Sequence, residues 1–336
     1  MLIEVIALFL GLSVLFYCVL GGADFGAGIL GLFQGTEQKE EQRELITHAM
    51  GPVWEANHMW LVLAVVILFN GFPKAYSVLS TTFHIPLTLM LIGVVLRGCA
   101  FTFRHYDAVQ DRSQTYYTWI FEASSVMTPL MLGVIAGGMI LGRGAGSSLS
   151  FFDAYVDPWL NLFSISIGIF CCVLFSFLAA VYLIGETQVR SLRSIFTRKA
   201  RTLNLVAIAA GIFVFVAAHV DGISLIQRFL GQPGSLVCMV LSTVILVPLW
   251  RCLDRGNVLI ARFLAAAQVG FIVLGWFWLQ FPNIIARGEG SQANSLTIYN
   301  SAAPEITLIY LLYALLGGSA LIFPSLFFLF RVFKRS

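Results

Sequence analysis

Residues 4–33 read EVIALFLGLSVLFYCVLGGADFGAGILGLF, an apolar run with a single aspartate, Asp24, set inside it. A bilayer core of about 30 Å is crossed by about 20 mostly apolar residues in a helix. Eight further runs of this kind follow, at 51–71, 77–97, 117–142, 158–185, 202–220, 234–250, 258–281 and 304–330. In lipid the backbone must bond to itself, so runs of this length are read as helices. The expected fold is all-α, a polytopic membrane protein with nine transmembrane helices in one transmembrane domain over 1–336. The first run has no basic n-region and no small-residue cleavage site, which reads as a retained span rather than a signal peptide.

The composition agrees. Of 336 residues, 59% are hydrophobic and 11% charged, and the mean hydropathy is +0.88. Soluble domains carry about 25% charged residues, so a soluble enzyme, a disordered chain and a nucleic-acid binder are all excluded. The net charge of +3 is too small to imply an anionic partner. Cys18, Cys99, Cys171, Cys172, Cys238 and Cys252 form no C-x-x-C pair, and small apolar helix residues are the reading they support.

Orientation follows from the basic residues of the connections. The odd-numbered connections and the tail hold sixteen, among them Arg97, Arg104 and Arg112 after the third span; the even ones hold four. This puts the N-terminus outside and the C-terminus in the cytoplasm of a bacterial or archaeal cell membrane. The basic stretch 186–201 reads as a cytoplasmic loop dividing a first bundle (1–185) from the remaining helices (202–336), two four-helix bundles plus a ninth, peripheral helix. The segment 282–303 is expected to lie across the outer face.

Ionisable groups inside spans are expensive and mark a pathway or a pairing. Asp24 is nine residues, about 14 Å of helix, from the end of the first span. Glu55 lies in the first turn of the second and Glu122 just inside the fourth, so all three fall in the cytoplasmic half. Carboxylates gathered on one side suit proton uptake rather than a two-sided transport path. Glu55 follows Pro52 at a helix start, where the macrodipole favours a carboxylate whatever its function, and Glu122 admits the same reading. Asp24 needs a partner, and Gly22 and Gly26 beside it have the spacing of close helix packing. Glu55 and His58, three apart, share a face with Trp54, while Trp60 points elsewhere. An interfacial aromatic belt accounts for Trp54.

His84 and His219, near the outer side, are the only histidines at depths that can match as haem ligands. A hydrogen-bonded core histidine is the commoner case. Gln268, Asn161 and Ser164 read as interhelical hydrogen bonds. No nucleotide loop, catalytic triad or metal-binding helix motif is present.

Three stretches carry a family resemblance over nearly the whole chain. Gly22-Ala-Asp-Phe-Gly-Ala-Gly28 is similar to a D/G-x-x-D-x-G-x-G run. Pro52-Val-Trp-Glu-Ala-Asn-His-Met-Trp-Leu61 is similar to P-x-W-D/E-x-N-x-x-W-L. Ser295-Leu-Thr-Ile-Tyr-Asn-Ser-Ala-Ala-Pro-Glu-Ile-Thr-Leu308 resembles an outer S-L-T-I-x-x-A segment. Together they resemble subunit II of the cytochrome bd-type quinol oxidases. The resemblance implies a haem-free subunit without cofactor or metal ligands, paired with a larger subunit I that carries b haems and haem d. In some members a small single-helix subunit or a structural quinone is added. The complex oxidises quinol and reduces O2 to water with cytoplasmic protons. Asp24 and Glu55 match the acidic positions of the motifs, with His58 and Glu122 beside them on a proton route, and Trp60 matches a tryptophan linked to oxygen. Glu55 stands where Asp is usual, and His58 where an uncharged polar residue is usual.

Two other functions compete. A proton-coupled secondary transporter would use Asp24 and Glu55 as coupling sites and the glycine-rich first span as a broken helix; the odd span count and the lack of an inverted repeat oppose it. A haem-bearing electron-transfer subunit would use His84 and His219.

Overall fold

The computed structural model describes residues 1–33, 38–50, 54–106, 113–143, 150–286 and 295–333. The first span is α1 (Leu2–Phe16), a π-helical turn (Tyr17–Gly21) and α2 (Gly22–Leu32). Next come α3 (Lys39–Met50), α4 (Trp54–Gly71), α5 (Pro73–Thr82), α6 (His84–Tyr106), α7 (Ser113–Leu141) and the short α8 (Phe151–Tyr155). There follow α9 (Leu162–Leu183) and, after residue 186, α10 (Arg190–Val220), α11 (Leu225–Gly231), α12 (Pro233–Val244), α13 (Leu246–Arg255) and α14 (Val258–Gln280). A two-stranded antiparallel hairpin, β1 (Asn283–Ile285) and β2 (Leu296–Thr297), precedes α15 (Glu305–Phe333). Among the described residues eight helices are long and apolar enough to cross a membrane, and nine if the bent pair α4–α5 counts as one span.

Several expected boundaries move, each for a local reason. Pro73 forces Phe72 out of helical geometry (φ −134°, ψ 58°), so α5 turns away from α4 by 118°. Residues 77–82 therefore belong to this cross-piece, and the third span starts at His84 rather than 77. The stretch 186–201 is not a loop throughout: α10 begins at Arg190 and runs without a break into the sixth span. The seventh span is two helices. Pro248 has no N–H to offer Val244, and its ring crowds that carbonyl; α12 ends there and α13 starts at Leu246.

Helix α3 occupies the connection between the first two apolar runs, yet it is amphipathic, with Gln42 and Ile46 buried one turn apart. Lys199 Nζ of α10 donates to Gln42 Oε1 at 2.9 Å, pinning α3 beside the second half.

The glycine run of α2 is a packing device on two sides. A Cβ at Gly26 would fall on the main-chain carbonyl of Phe175 in α9, and one at Gly28 on the Ser125 side chain of α7. Only glycine lets both neighbours approach this closely, as small residues do in membrane helices generally. α2 is thus wedged between α7 and α9. The ninth helix, α15, packs on α1 and α4 of the first half. The segment after α14 is tied across the far ends of α7 and α4. Ala286 N–H donates to Met139 O (3.0 Å) and Ala303 N–H to Gly71 O (2.9 Å).

Candidate functional site

The π-helical turn Tyr17–Gly21 inserts an extra residue into the first span just before Asp24. Such insertions reset which face the following side chains present and occur often at functional sites. Beyond it Asp24 is 1% exposed and faces α4, where Asn57 Nδ2 donates to Asp24 Oδ2 at 2.7 Å.

The second charge of the cluster is Arg97, assigned above to a connection. Helix α6 continues to Tyr106, and Arg97 is 2% exposed. Its Nη2 donates to the main-chain carbonyl of Asp24 at 2.7 Å, and its Nε donates to Ser125 Oγ of α7 at 3.1 Å. The guanidinium also lies over the rings of Phe25 and Phe121, 4.8 and 5.0 Å from their centroids. These contacts replace the water that a buried cation loses, a loss worth several kcal/mol per ion. Asp24 supplies the counter-charge within electrostatic reach.

Glu122 lies one turn before Ser125 on α7, at the site's edge, and is 9% exposed. It packs so closely on Gly31 of α2 that a Cβ there would come within 2.7 Å of its Oε1. Lys39 and Arg43 of α3 and Arg104 of α6 act on its charge. Arg43 in turn meets Glu40 at 3.4 Å on the exposed face of α3. A small cleft lined by Ile46, Thr47, Phe101, Arg104 and Phe121 separates α3 from α6 and α7 here. Charged and polar groups thus run from the exposed face of α3, past Glu122 and Ser125, to Arg97 and Asp24.

His58 sits beside this cluster, its ring 5.6 Å from Phe25 and 6.1 Å from Tyr17. Glu55 belongs to the first turn of α4, but its side chain lies outside the described residues, as do Pro52 and Val53 of the motif. Trp60 is turned away into an aromatic seam, 4.6 Å from Phe16 and 6.1 Å from Phe323 of α15. Asp24 and His58 are therefore gathered around Arg97, Glu122 lies at the edge of the cluster against Gly31, and Trp60 is turned away from it. Arg97 and Ser125 escaped the sequence reading. The usable signal was that an aspartate inside a span requires a cation, and Arg97 is the base that closes an apolar run.

Chemically, the cluster can hold one exchangeable proton. Arg97 stays charged at any ordinary pH. Protonation of Asp24 therefore changes the net charge of the pair from zero to +1. Among the described residues, no group of three or more His, Cys, Asp or Glu side chains is arranged to hold a metal ion. His84 Nδ1 is 2.9 Å from Thr81 O, and the ring meets Tyr155 edge-on at 5.1 Å.

A second buried polar group joins α10, α13 and α14. Asn204 Nδ2 donates to Gln268 Oε1 (3.2 Å), and Trp250 Nε1 donates to Asn204 Oδ1 (2.9 Å). Gln268 makes the expected interhelical bond; Asn161 instead caps α9, accepting from Ser164 N–H at 2.9 Å.

The helices and the enclosed charges define an all-α, multi-pass membrane protein that buries a cation and a carboxylate among its first four spans. The sequence profile of the family described as cytochrome bd terminal oxidase subunit II matches residues 2–333, and the chain belongs to that family. It is 29% identical over 167 residues to the cytochrome bd ubiquinol oxidase subunit 2 of Bacillus subtilis, covering 48% of the chain and 47% of that protein. It is 27% identical over 135 residues to the cytochrome bd-I ubiquinol oxidase subunit 2 of Escherichia coli, covering 40% of the chain and 35% of that protein. In these matches the chain spans about half of the one relative and about a third of the other. A solved chain of the bd oxidase from Geobacillus thermodenitrificans superposes with a TM-score of 0.74 at 20% identity, covering 99% of each chain, which establishes the shared fold.

Proposed function

We propose that this chain is the haem-free subunit II of a quinol-oxidising, O2-reducing membrane complex, and that its first four spans carry protons from the cytoplasm. The observation that carries the proton role is the buried Asp24–Arg97 pair with Glu122 one helical turn from Ser125. Family membership supports the pairing with a haem-bearing larger subunit, in which the b and d haems reside. It also supports quinol and O2 as the reactants. A small single-helix subunit, a structural quinone and bound lipids belong to the same reading. With Arg97 moved inside the protein, the division of basic residues is fifteen to four and still favours a cytoplasmic C-terminus and an outer N-terminus.

In this reading Glu122 receives the proton at the α3 cleft. Asp24 then holds it while Arg97 keeps the carboxylate and Ser125 in place. His58 and Glu55 continue the path along α4, and Trp60 lines an oxygen route apart from it. The experiment is a pair of variants, Asp24→Asn and Glu122→Gln, in the purified complex. Quinol-driven oxygen uptake and proton uptake from the cytoplasmic side are expected to fall together, with the haem spectrum intact. Unchanged uptake in both variants would remove the proton role. Haem bands from the chain expressed alone would remove the haem-free role and return His84 and His219 to consideration.

A further inference from the structure

The basic end of the second half carries a feature that neither the proton route nor the subunit pairing uses. Arg201 of α10 and Asp254 of α13 form an ion pair between the ends of these two helices. Arg198 lies one turn before Arg201, and Arg251 and Arg255 flank Asp254 on α13. Three further arginines thus stand within about one helical turn, along their own helices, of the two paired residues, and Arg198, Arg251 and Arg255 are exposed. Close by, Arg193 Nη2 donates to the carbonyl of Gly256 at 2.6 Å, and Arg262 is held by Glu186 at 2.6 Å. Those two cations are committed to the fold.

What these arginines adjoin decides their partner. On α10 the exposed face that starts at Arg198 continues through Leu205, Ile212 and Val216, spaced three and four residues apart with Thr202 and Ala209 between. On α12 and α13 the face that ends at Arg251 carries Val237, Val240, Val244 and Val247. Both stripes are apolar, exposed and as long as half a bilayer or more. Each ends in arginine at the level of the Arg201–Asp254 pair. A ligand that fits both features has hydrocarbon chains for the stripes and a negative headgroup for the arginines. An acidic protein segment would satisfy the guanidinium groups and leave the stripes uncovered.

We propose that Arg198, Arg201, Arg251 and Arg255 form a binding site for an anionic phospholipid, whose acyl chains lie against the exposed stripes of α10 and α12. The site rests on the membrane-spanning fold alone and holds whichever leaflet this end occupies. It would hold α10 against α13 beneath the Asn204–Trp250 contact.

The test is native mass spectrometry of the full chain in detergent with equal amounts of phosphatidylglycerol and phosphatidylcholine of matched chains. The phosphatidylglycerol adduct is expected to dominate, and its preference to fall roughly fivefold for each arginine removed in Arg198→Gln, Arg251→Gln and Arg255→Gln. The triple Arg→Lys variant, which keeps the charge, is expected to retain the preference and covers the case in which the Gln variants fail to fold. Equal retention of the two lipids, or a preference unchanged in the Gln variants, overturns the proposal. Displacement of the lipid by millimolar inorganic phosphate also overturns it, because the site would then recognise a soluble anion.

Discussion

The two buried polar clusters differ in one respect that separates chemistry from scaffolding. Asp24 and Arg97 in the first half are 1% and 2% exposed, and Asn204 and Gln268 in the second are 1% and 6% exposed. Depth is therefore the same. The second cluster uses only neutral groups, two amides and an indole, which tie three helices and can exchange no proton. The first encloses full charges, which cost several kcal/mol each to desolvate. An apolar pair of similar volume would hold the same helices without that cost. A clamp without full charges is also what α10, α13 and α14 use, with neutral amides and an indole in place of ions.

The largest expected effect comes from stripping one charge. Arg97→Leu leaves Asp24 without its cation and Ser125 and the Asp24 carbonyl without a donor. A loss of about 3–5 kcal/mol is expected, as for other broken buried pairs. It should appear as poor accumulation of the chain in membranes and loss of the assembled complex. Arg97→Lys is expected to rescue only in part, since an ammonium cannot span both the Asp24 carbonyl and Ser125 while lying over Phe25 and Phe121.

Removing both charges sharpens the comparison. In the double variant Asp24→Leu with Arg97→Leu, no ion is left unpaired, and stability is expected to return to within about 2 kcal/mol of the parent. The first cluster then becomes a clamp like the second. Membrane accumulation should recover while proton uptake by the complex stays abolished. Recovery of both would mean that the charges served the fold alone.

The second cluster should respond in the opposite way. Asn204→Leu removes the partner of both Trp250 and Gln268, and a loss of about 0.6–1.7 kcal/mol is expected, the range measured for interhelical bonds in membranes. Thermal inactivation should shift modestly, and oxygen and proton uptake per assembled complex should not change.

The two clusters were unequally legible. Gln268 was readable as an interhelical bond because a lone amide in an apolar run has few other uses. Asp24 was readable for the same reason, and its glycines announced close packing. Arg97 was not, because it stands at the edge of an apolar run and counts there as an ordinary positive-inside residue; only the continuation of α6 to Tyr106 carries it into the protein. Helix α3 was obscured by its charges, although Gln42, Ile46 and Ala49 keep a helical spacing. Pro73, between the second and third runs, starts a separate cross-piece, and the apolar count of 77–97 alone does not reveal that the third span begins at His84. The nine apolar runs were legible because lipid imposes length and composition on every span at once, whereas pairings between spans depend on rotations that one-dimensional patterns leave open.

The smallest effect is expected where charges pair at the surface. Arg201 and Asp254 join the same two residue types as the buried cluster, but in direct contact and with side chains 39% and 60% exposed. Water solvates both partners when the pair opens, so Asp254→Asn is expected to change stability by at most about 1 kcal/mol. Its electrostatic consequence is larger than its energetic one, since it removes the one carboxylate among Arg198, Arg201, Arg251 and Arg255. Retention of phosphatidylglycerol over phosphatidylcholine should therefore rise in this variant, while the thermal stability of the delipidated chain stays near that of the parent. The same two residue types thus stand desolvated in the core in one place and solvated at the surface in the other. Burial, and not the identity of the residues, decides what a lost partner costs.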